Sequence, residues 1–270
     1  MRRGFPRTAF LCTALACLTA RDAGAQVVNI DREAREDTVH HRWGAFANVS
    51  LSSDKQKNNL LDVSGNIEVD RYFRNDYLLL TLFRNDAVFN GREAIQNEGM
   101  FHLRFRDRDT RKVSPESFVQ YQWNGAWGME ARYLAGANLR FKLIEERKAD
   151  LYLASGLFHE WERWNWSGVK DLSVPTDAGK VRRDMFRLNQ YVKYAVKLNE
   201  SVDISAVSYL QFPLGRRFLQ PRWFLDANLF LQAARRLTLV LHWDHVWDHN
   251  RVVPIEEYYY SFSTGLQYAL

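Results

Sequence analysis

Apolar residues in this chain recur at every second position, in segments of about 10–14 residues, and no stretch carries the i, i+3, i+4, i+7 stripe of a helix through three turns. Period two sends successive side chains to opposite faces of a strand. Val63, Gly65, Ile67 and Val69 share one face, and Asp62, Ser64, Asn66, Glu68 and Asp70 the other. Leu225, Ala227, Leu229 and Leu231 alternate with Asp226, Asn228, Phe230 and Gln232. Val202, Ile204, Ala206, Ser208 and Leu210 alternate with Asp203, Ser205, Val207, Tyr209 and Gln211. The chain is therefore expected to be all-β.

About twelve such segments follow one another, beginning near Arg42, Leu60, Tyr77, Glu98, Ser117, Arg132, Asp150, Phe186, Val202, Arg222, Leu237 and Glu257. The links between them alternate in length. Odd links include 90–97, a long one from about Trp164 to Met185, and 214–221; even links include 73–76, 145–149, 198–201 and 233–236, with 109–115 the longest. An even number of antiparallel strands with short turns at one end and long loops at the other is the pattern of a transmembrane β-barrel of about twelve strands. In hydrocarbon every backbone N–H and C=O needs a partner, which only a closed barrel supplies to strands. Apolar faces such as Tyr133, Ala135, Ala137, Leu139 and Phe141 carry no charge in mid-strand. Trp43, Trp123, Trp223, Trp243, Trp247 and Tyr268 stand near segment ends, as interfacial girdles require. One strand reads either way; Tyr77, Leu79, Thr81 and Phe83 are taken as its outward face, because that places Arg84 and Asp86 inside. A soluble β-sandwich or lipocalin-like barrel would show the same alternation with its apolar face turned inward.

The first residues read as an export signal. Arg2, Arg3 and Arg7 precede an apolar run from Thr8 to Ala20, and Ala23, Gly24 and Ala25 form a small-x-small cleavage pattern. Leu15, Ala16 and Cys17 loosely resemble a lipobox, the alternative processing. Residues 1–25 are thus expected to be a signal peptide, 26–41 a periplasmic lead and 42–270 an outer-membrane barrel of a Gram-negative bacterium. Both cysteines, Cys12 and Cys17, fall within the signal, which leaves no disulfide, cysteine-zinc site or cysteine nucleophile after cleavage. Of 37 Lys+Arg and 32 Asp+Glu, four and one lie in 1–25, so residues 26–270 hold 33 against 31, a net of +2. That balance gives no footprint for nucleic acid.

The chain ends SFSTGLQYAL. Ser263, Gly265, Tyr268 and Leu270 fit polar-x-Gly-x-x-aromatic-x-hydrophobic, the assembly signal that the barrel-assembly machinery reads on a last strand; Leu270 stands where phenylalanine or tryptophan is usual. Residues 116–162, with Tyr-x-x-Gly-x-x-x-Arg-Phe at 133–141, and residues 252–270 resemble the DUF481 family of salt-induced outer-membrane proteins. The resemblance runs from about Arg42 onward. It implies an outer-membrane β-barrel and carries over no catalytic residue.

Parity places charges of both signs on the inner face. Arg104, Arg106, Arg132, Arg140, Lys142, Arg187, Lys193 and Lys197 form a basic set; Asp62, Glu68, Asp70, Asp203, Asp226 and Asp244 form an acidic one. Opposed walls would pass small polar solutes across a transverse field; paired charges would instead plug a narrow lumen, with Phe158, Phe224 and Phe230 filling it. The basic residues near the periplasmic ends could also meet lipid phosphates. HWDHVWDH (242–249) splits by parity: Trp243, His245 and Trp247 outward, His242, Asp244, Val246 and Asp248 inward. His242 and Asp244 would need a third ligand such as Glu160 to hold a metal. A lipid-acting enzyme would need a serine beside His159 or His245 on the outer wall, and no serine motif accompanies them. The expectation is a non-enzymatic envelope protein, structural or stress-related, without cofactor or metal, whose partners are membrane lipid, the assembly machinery and, if the lumen is open, a small polar solute. Its alternatives are the lipid enzyme and a surface binding module using the 164–185 loop.

Overall fold

The computed structural model describes residues 43–55, 59–73, 76–89, 93–107, 112–169, 175, 178–234 and 237–268; over 43–96 it describes few side chains. The signal, the lead and Leu270 lie outside the described residues, as do the side chains of Glu68, Asp70 and Tyr268. Among the described residues twelve strands follow in order: β1 (Trp43–Lys55), β2 (Asn59–Phe73), β3 (Asp76–Phe89), β4 (Glu93–Asp107), β5 (Val113–Asn124), β6 (Met129–Glu146), β7 (Ala149–Trp164), β8 (Val181–Lys197), β9 (Val202–Pro213), β10 (Arg222–Ala234), β11 (Leu237–Asp248) and β12 (Tyr258–Tyr268). Each pairs antiparallel with the next in one sheet. A 3-10 turn, Gly125–Trp127, joins β5 to β6, and the Asn124 side chain accepts from the Trp127 N–H at 3.1 Å.

The expected starts at Val202, Arg222 and Leu237 coincide with the observed ones, whereas β4, β5 and β8 begin earlier, at Glu93, Val113 and Val181. Alternation detects only the part of a strand that faces an apolar medium. A paired backbone continues beyond it, because ladder hydrogen bonds need no particular side chain. The loop expected at 164–185 accordingly shortens to 165–180.

The sheet is strongly curled. Tyr259 on β12 stacks on Trp127, which follows β5, with ring centroids 4.2 Å apart. In a flat sheet seven strand spacings of about 4.8 Å would separate those strands by roughly 30 Å. Curling creates an inner and an outer face. On β6 the inner residues Arg132, Leu134, Asn138 and Arg140 are buried, and the outer residues Tyr133, Ala135, Ala137 and Leu139 are exposed. On β7 Tyr152, Ala154, Phe158, Glu160 and Glu162 are buried, while Leu153 and Leu157 are exposed.

Two glycines let β6 and β7 curl closely. Gly136 lies opposite Phe158, and Gly156 opposite Asn138. A methyl group at Gly136 would collide with the Phe158 side chain and stand 2.6 Å from the Leu157 carbonyl oxygen; one at Gly156 would collide with the Ala137 carbonyl and the Asn138 amide. The larger partners lie across the glycines on the inner face.

On β3 the outward face is the reverse of the one expected. Leu82 is exposed and stands opposite Ile67 and Phe101, both exposed. Directly opposed residues share a face, so Leu78, Leu80 and Leu82 point outward. The criterion that placed Arg84 and Asp86 inside is weak near a strand end, where the cost of a lipid-facing charge falls toward zero.

The glycine reading makes a prediction. Gly136→Val is expected to destabilise the fold by about 1–3 kcal/mol through overpacking, whereas Ala137→Val on the outer face changes it by less than about 0.5 kcal/mol. Urea unfolding of the two variants in detergent, followed by tryptophan fluorescence, separates them; equal midpoints would refute the close-approach argument.

Candidate functional site

The interior is layered along the strand direction, starting from the end that carries the longer links. Trp127, Met129, Trp164, Val169, Val253 and Ile255 form a buried apolar cluster there, with Trp166, Val181, Val252 and Tyr259 packed against it. It joins the turn after β5, the start of the 165–180 link and the 249–257 link, all from one end of the sheet. These segments cap the inner face.

Beneath the cap lies a network of buried ions. Glu160 and Glu162 have no exposed side-chain surface, and Arg132, Arg187 and Arg222 have 1% or less. Glu160 accepts from Arg187 Nε at 2.5 Å, from Arg222 Nη1 at 2.8 Å and from Arg132 Nε at 2.6 Å. Glu162 accepts from Arg183 Nε at 2.8 Å, and Arg222 also pairs with Asp248 at 2.7 Å. The participants come from β6, β7, β8, β10 and β11. A lone ion of this kind would cost several kcal/mol to desolvate, and only mutual pairing with good geometry offsets that. The arrangement holds strands in place.

Below the network polar side chains form two relays. Arg106 Nε donates to Glu116 at 3.2 Å, Asn138 Nδ2 donates to Glu116 at 2.9 Å, and Asn189 Nδ2 donates to Asn138 Oδ1 at 3.1 Å. His102 Nδ1 meets Gln120 Oε1 at 3.0 Å, and Gln120 Nε2 donates to Gln122. Tyr191 and Tyr209 lie 5.3 Å apart by ring centroid, and Phe118 and Phe158 6.2 Å apart. His102, Gln120, Asn138 and Asn189, with these four rings, line a small cavity, Arg132 belonging both to it and to the network above.

The structure places the residues expected from parity as follows. Arg104, Arg106, Arg140, Lys193 and Asp226 are buried on the inner face. Arg140 lies over the Tyr152 ring at 3.7 Å, on the inner face rather than the outer one. Asp203 and Asp244 are half-buried, and Asp244 meets His242. Lys197 is exposed at the end of β8, and Lys142 turns to Glu145 at 2.5 Å, so neither joins the interior cluster. The basic and acidic walls are not segregated. Glu98, Glu116, Glu160 and Glu162 are buried among the arginines of β4, β6 and β8. The network residues Glu160, Glu162 and Arg222 share the inner parity of Phe158 and Phe224; period two therefore marked them, but the company they keep depends on curl, which periodicity does not encode.

Among the expected girdle residues, Trp43 is exposed with Arg71 over its ring at 4.5 Å, and Trp243 is exposed. Trp123 donates to Asn97 at 2.7 Å and Trp223 to Ser208 at 2.9 Å; Trp247 is half-buried. Trp43 stands at the short-turn end and Trp123, Trp223 and Trp247 at the other. Ser263 is half-buried and Gly265 exposed on β12. His159 and His245 are both on the outer face. His159 Nε2 meets Asp184 at 2.6 Å, and His245 is enclosed by the rings of Trp223 and Tyr258 at 4.6 and 4.7 Å. Their neighbours are thus a carboxylate and aromatic rings.

HWDHVWDH contributes His242 and Asp244 to a group whose third member is Asp226 on β10, with ligating atoms within 4.8 Å of one another. Glu160, the third ligand considered from sequence, is held by arginines instead. Asn228 Nδ2 donates to Asp226 at 2.8 Å, which leaves Asn228 Oδ1 facing His242 Nδ1 at 2.8 Å, and His242 Nε2 meets Asp244 at 2.7 Å. Hydrogen bonds account for each of these contacts.

No family model matches this chain, and no curated protein does. Among solved structures, one titled "NanC porin structure in rhombohedral crystal form" is similar with a TM-score of 0.42 and 10% identity, over 84% of this chain and 98% of that one.

The network predicts an asymmetry between buried and surface carboxylates. Glu160→Gln leaves buried guanidinium groups undercompensated and is expected to cost about 3–5 kcal/mol. Glu145→Gln, at a half-exposed pair, costs less than about 1 kcal/mol. Urea midpoints of the two variants in detergent decide the matter, and equal midpoints would show that the network carries no structural weight.

Proposed function

We propose that this chain is an outer-membrane β-barrel protein of a Gram-negative envelope, non-enzymatic and structural or stress-related, with β12 closing against β1. The observation that supports this most is the inversion of burial. Arg106, Arg132, Arg187, Arg222, Glu160 and Glu162 are among the most enclosed side chains, while Phe101, Phe105, Tyr133, Leu139, Leu157, Phe186 and Phe262 are exposed on the outer face. A soluble β-sandwich or lipocalin-like barrel would show the reverse. A broad exposed apolar surface around a polar interior is stable where the surrounding medium is itself apolar.

On this reading, membrane lipid covers the outer face, the long links stand outside the cell and the short turns face the periplasm. The amino-terminal segment is an export signal, and Ser263, Gly265, Tyr268 and Leu270 are read by the assembly machinery. Membership of the DUF481 family belongs to the same proposal. The apolar cap and the ion network favour an interior closed at the long-link end over an open conduit. The cavity beneath them favours a second reading, a narrow passage for small polar solutes.

The test combines two measurements. The unboiled protein from outer-membrane fractions is expected to migrate faster than the boiled protein on a denaturing gel, and the purified protein is expected to give no discrete conductance steps in planar bilayers. Discrete steps would replace the closed reading with the conduit. Recovery in the soluble periplasm without a gel shift would overturn the membrane assignment.

A further inference from the structure

A polar pair lies in the middle of the outer face. Gln190 on β8 stands directly opposite Ser155 on β7, and its Nε2 donates to the Ser155 hydroxyl oxygen at 2.7 Å. Both share the outward parity of Leu153, Leu157, Phe186 and Val192, all exposed, while Asn189 and Tyr191 on either side of Gln190 are buried on the inner face. Phe186 and Tyr194 lie on the same face four residues away in either direction, about 13 Å along the strand. Gln190 therefore stands midway between two aromatic side chains, at the depth where hydrocarbon surrounds a transmembrane strand. Resting on the barrel reading above, we propose that this pair is the centre of a contact with a second copy of the chain. The two copies form a two-fold dimer in the membrane, in which their Gln190 carboxamides hydrogen-bond to each other.

The hydrogen-bond balance of the carboxamide selects the occupant. The bond to Ser155 uses one of its two N–H groups; the second N–H and the carbonyl oxygen have no partner among the described residues. Reversing the amide, with the hydroxyl donating instead, also leaves a donor and an acceptor over. Lipid chains offer neither, and water is excluded from hydrocarbon. An apolar protein surface would leave the same two groups unmet. A second carboxamide meets both, because each N–H donates to the other's carbonyl oxygen. The group is its own complement, and a two-fold axis brings like residue to like, as an isologous contact requires. Ser155 ties the carboxamide across the gap between strands and so orients it. Leu153, Leu157 and Val192 stand exposed around the pair, with Leu188 and Leu210 half-buried beside them, and their packing against the second copy keeps lipid from the polar centre. The outward side chains of β8 from Phe186 to Val196 carry no charge, so two copies approach without like-charge repulsion.

The test uses the purified full-length protein in neutral, density-matched detergent, with its folded state established by the gel shift. Sedimentation equilibrium gives the mass of the protein and its dissociation constant as the ratio of protein to detergent is varied. The wild-type chain is expected to be a dimer that dissociates on dilution into detergent. Gln190→Leu, close in size and facing the same medium, is expected to keep the gel shift and to raise the dimer dissociation constant about tenfold, the scale of one hydrogen bond inside a membrane. Thr264→Leu, the same kind of change on the outer face of β12, is expected to leave the constant as it is. Gln190→Glu is expected to dimerise at low pH, where a protonated carboxyl is again both donor and acceptor, and to dissociate as rising pH ionises it. A wild-type protein that shows the gel shift but is monomeric at every ratio overturns this inference and leaves the barrel reading standing, even where it binds a different envelope protein. A trimer, whose three-fold axis pairs no two carboxamides reciprocally, also overturns it, as does a Gln190→Leu dimer as tight as the wild type. Absence of the gel shift removes the barrel reading and this inference with it.

Discussion

Glu160 has no exposed surface and accepts hydrogen bonds from guanidinium groups on β6, β8 and β10. β6 and β8 flank β7, but β10 lies three strands away, so the contact with Arg222 exists only because the sheet curls. Desolvating these ions costs several kcal/mol each, and a well-packed apolar core of the same volume would often be as stable. What pairing adds is placement: guanidinium forks meet carboxylates in few geometries. The curl that brings the charges together also turns Tyr133, Leu139, Leu157 and Phe186 outward. An apolar surroundings for the outer face is therefore the counterpart of the buried network, and the two features need each other.

Much of the fold was legible because period two is a local signal. The strands at Val202, Arg222 and Leu237 could be placed to the residue, and the inward parity of Arg104, Arg106, Arg140 and Asp226 followed from it. Alternation does not say which face is inside, and on β3, where both faces are apolar, charge near the strand end pointed the wrong way. Local pattern is also blind to relations across several strands. The acidic and basic residues looked segregated because Glu116, Glu160 and Glu162 were not set beside Arg106, Arg132 and Arg187, from which 10 to 28 positions separate them. His242 and Asp244 were legible as a pair, but their third neighbour was Asp226, its place set by the register of β10 against β11.

The layers of the interior support one another electrostatically. Trp127, Trp164, Val253, Ile255 and Tyr259 lie above the ion network and keep water from it. Lower local polarisability strengthens the ion pairs below and raises the cost of breaking any one of them. The cap thus does more than fill space: it makes Glu160 and Glu162 harder to uncouple from their arginines.

Each polar layer is oriented by a residue that can only accept. Glu160 directs the guanidinium groups of three strands; Glu116 turns Asn138, and through it Asn189; Asp226 turns Asn228, whose oxygen then meets His242. An amide by itself has two nearly equivalent orientations, and a chain of amides has many. An ionised carboxylate at one end removes that degeneracy, because a reversed amide would set oxygen against oxygen. The direction propagates along the relay until it reaches an atom with no partner in the protein. At Asn189 that atom is a carbonyl oxygen on a cavity wall. The preference of the cavity for a donor is therefore set by Glu116, which does not itself line it.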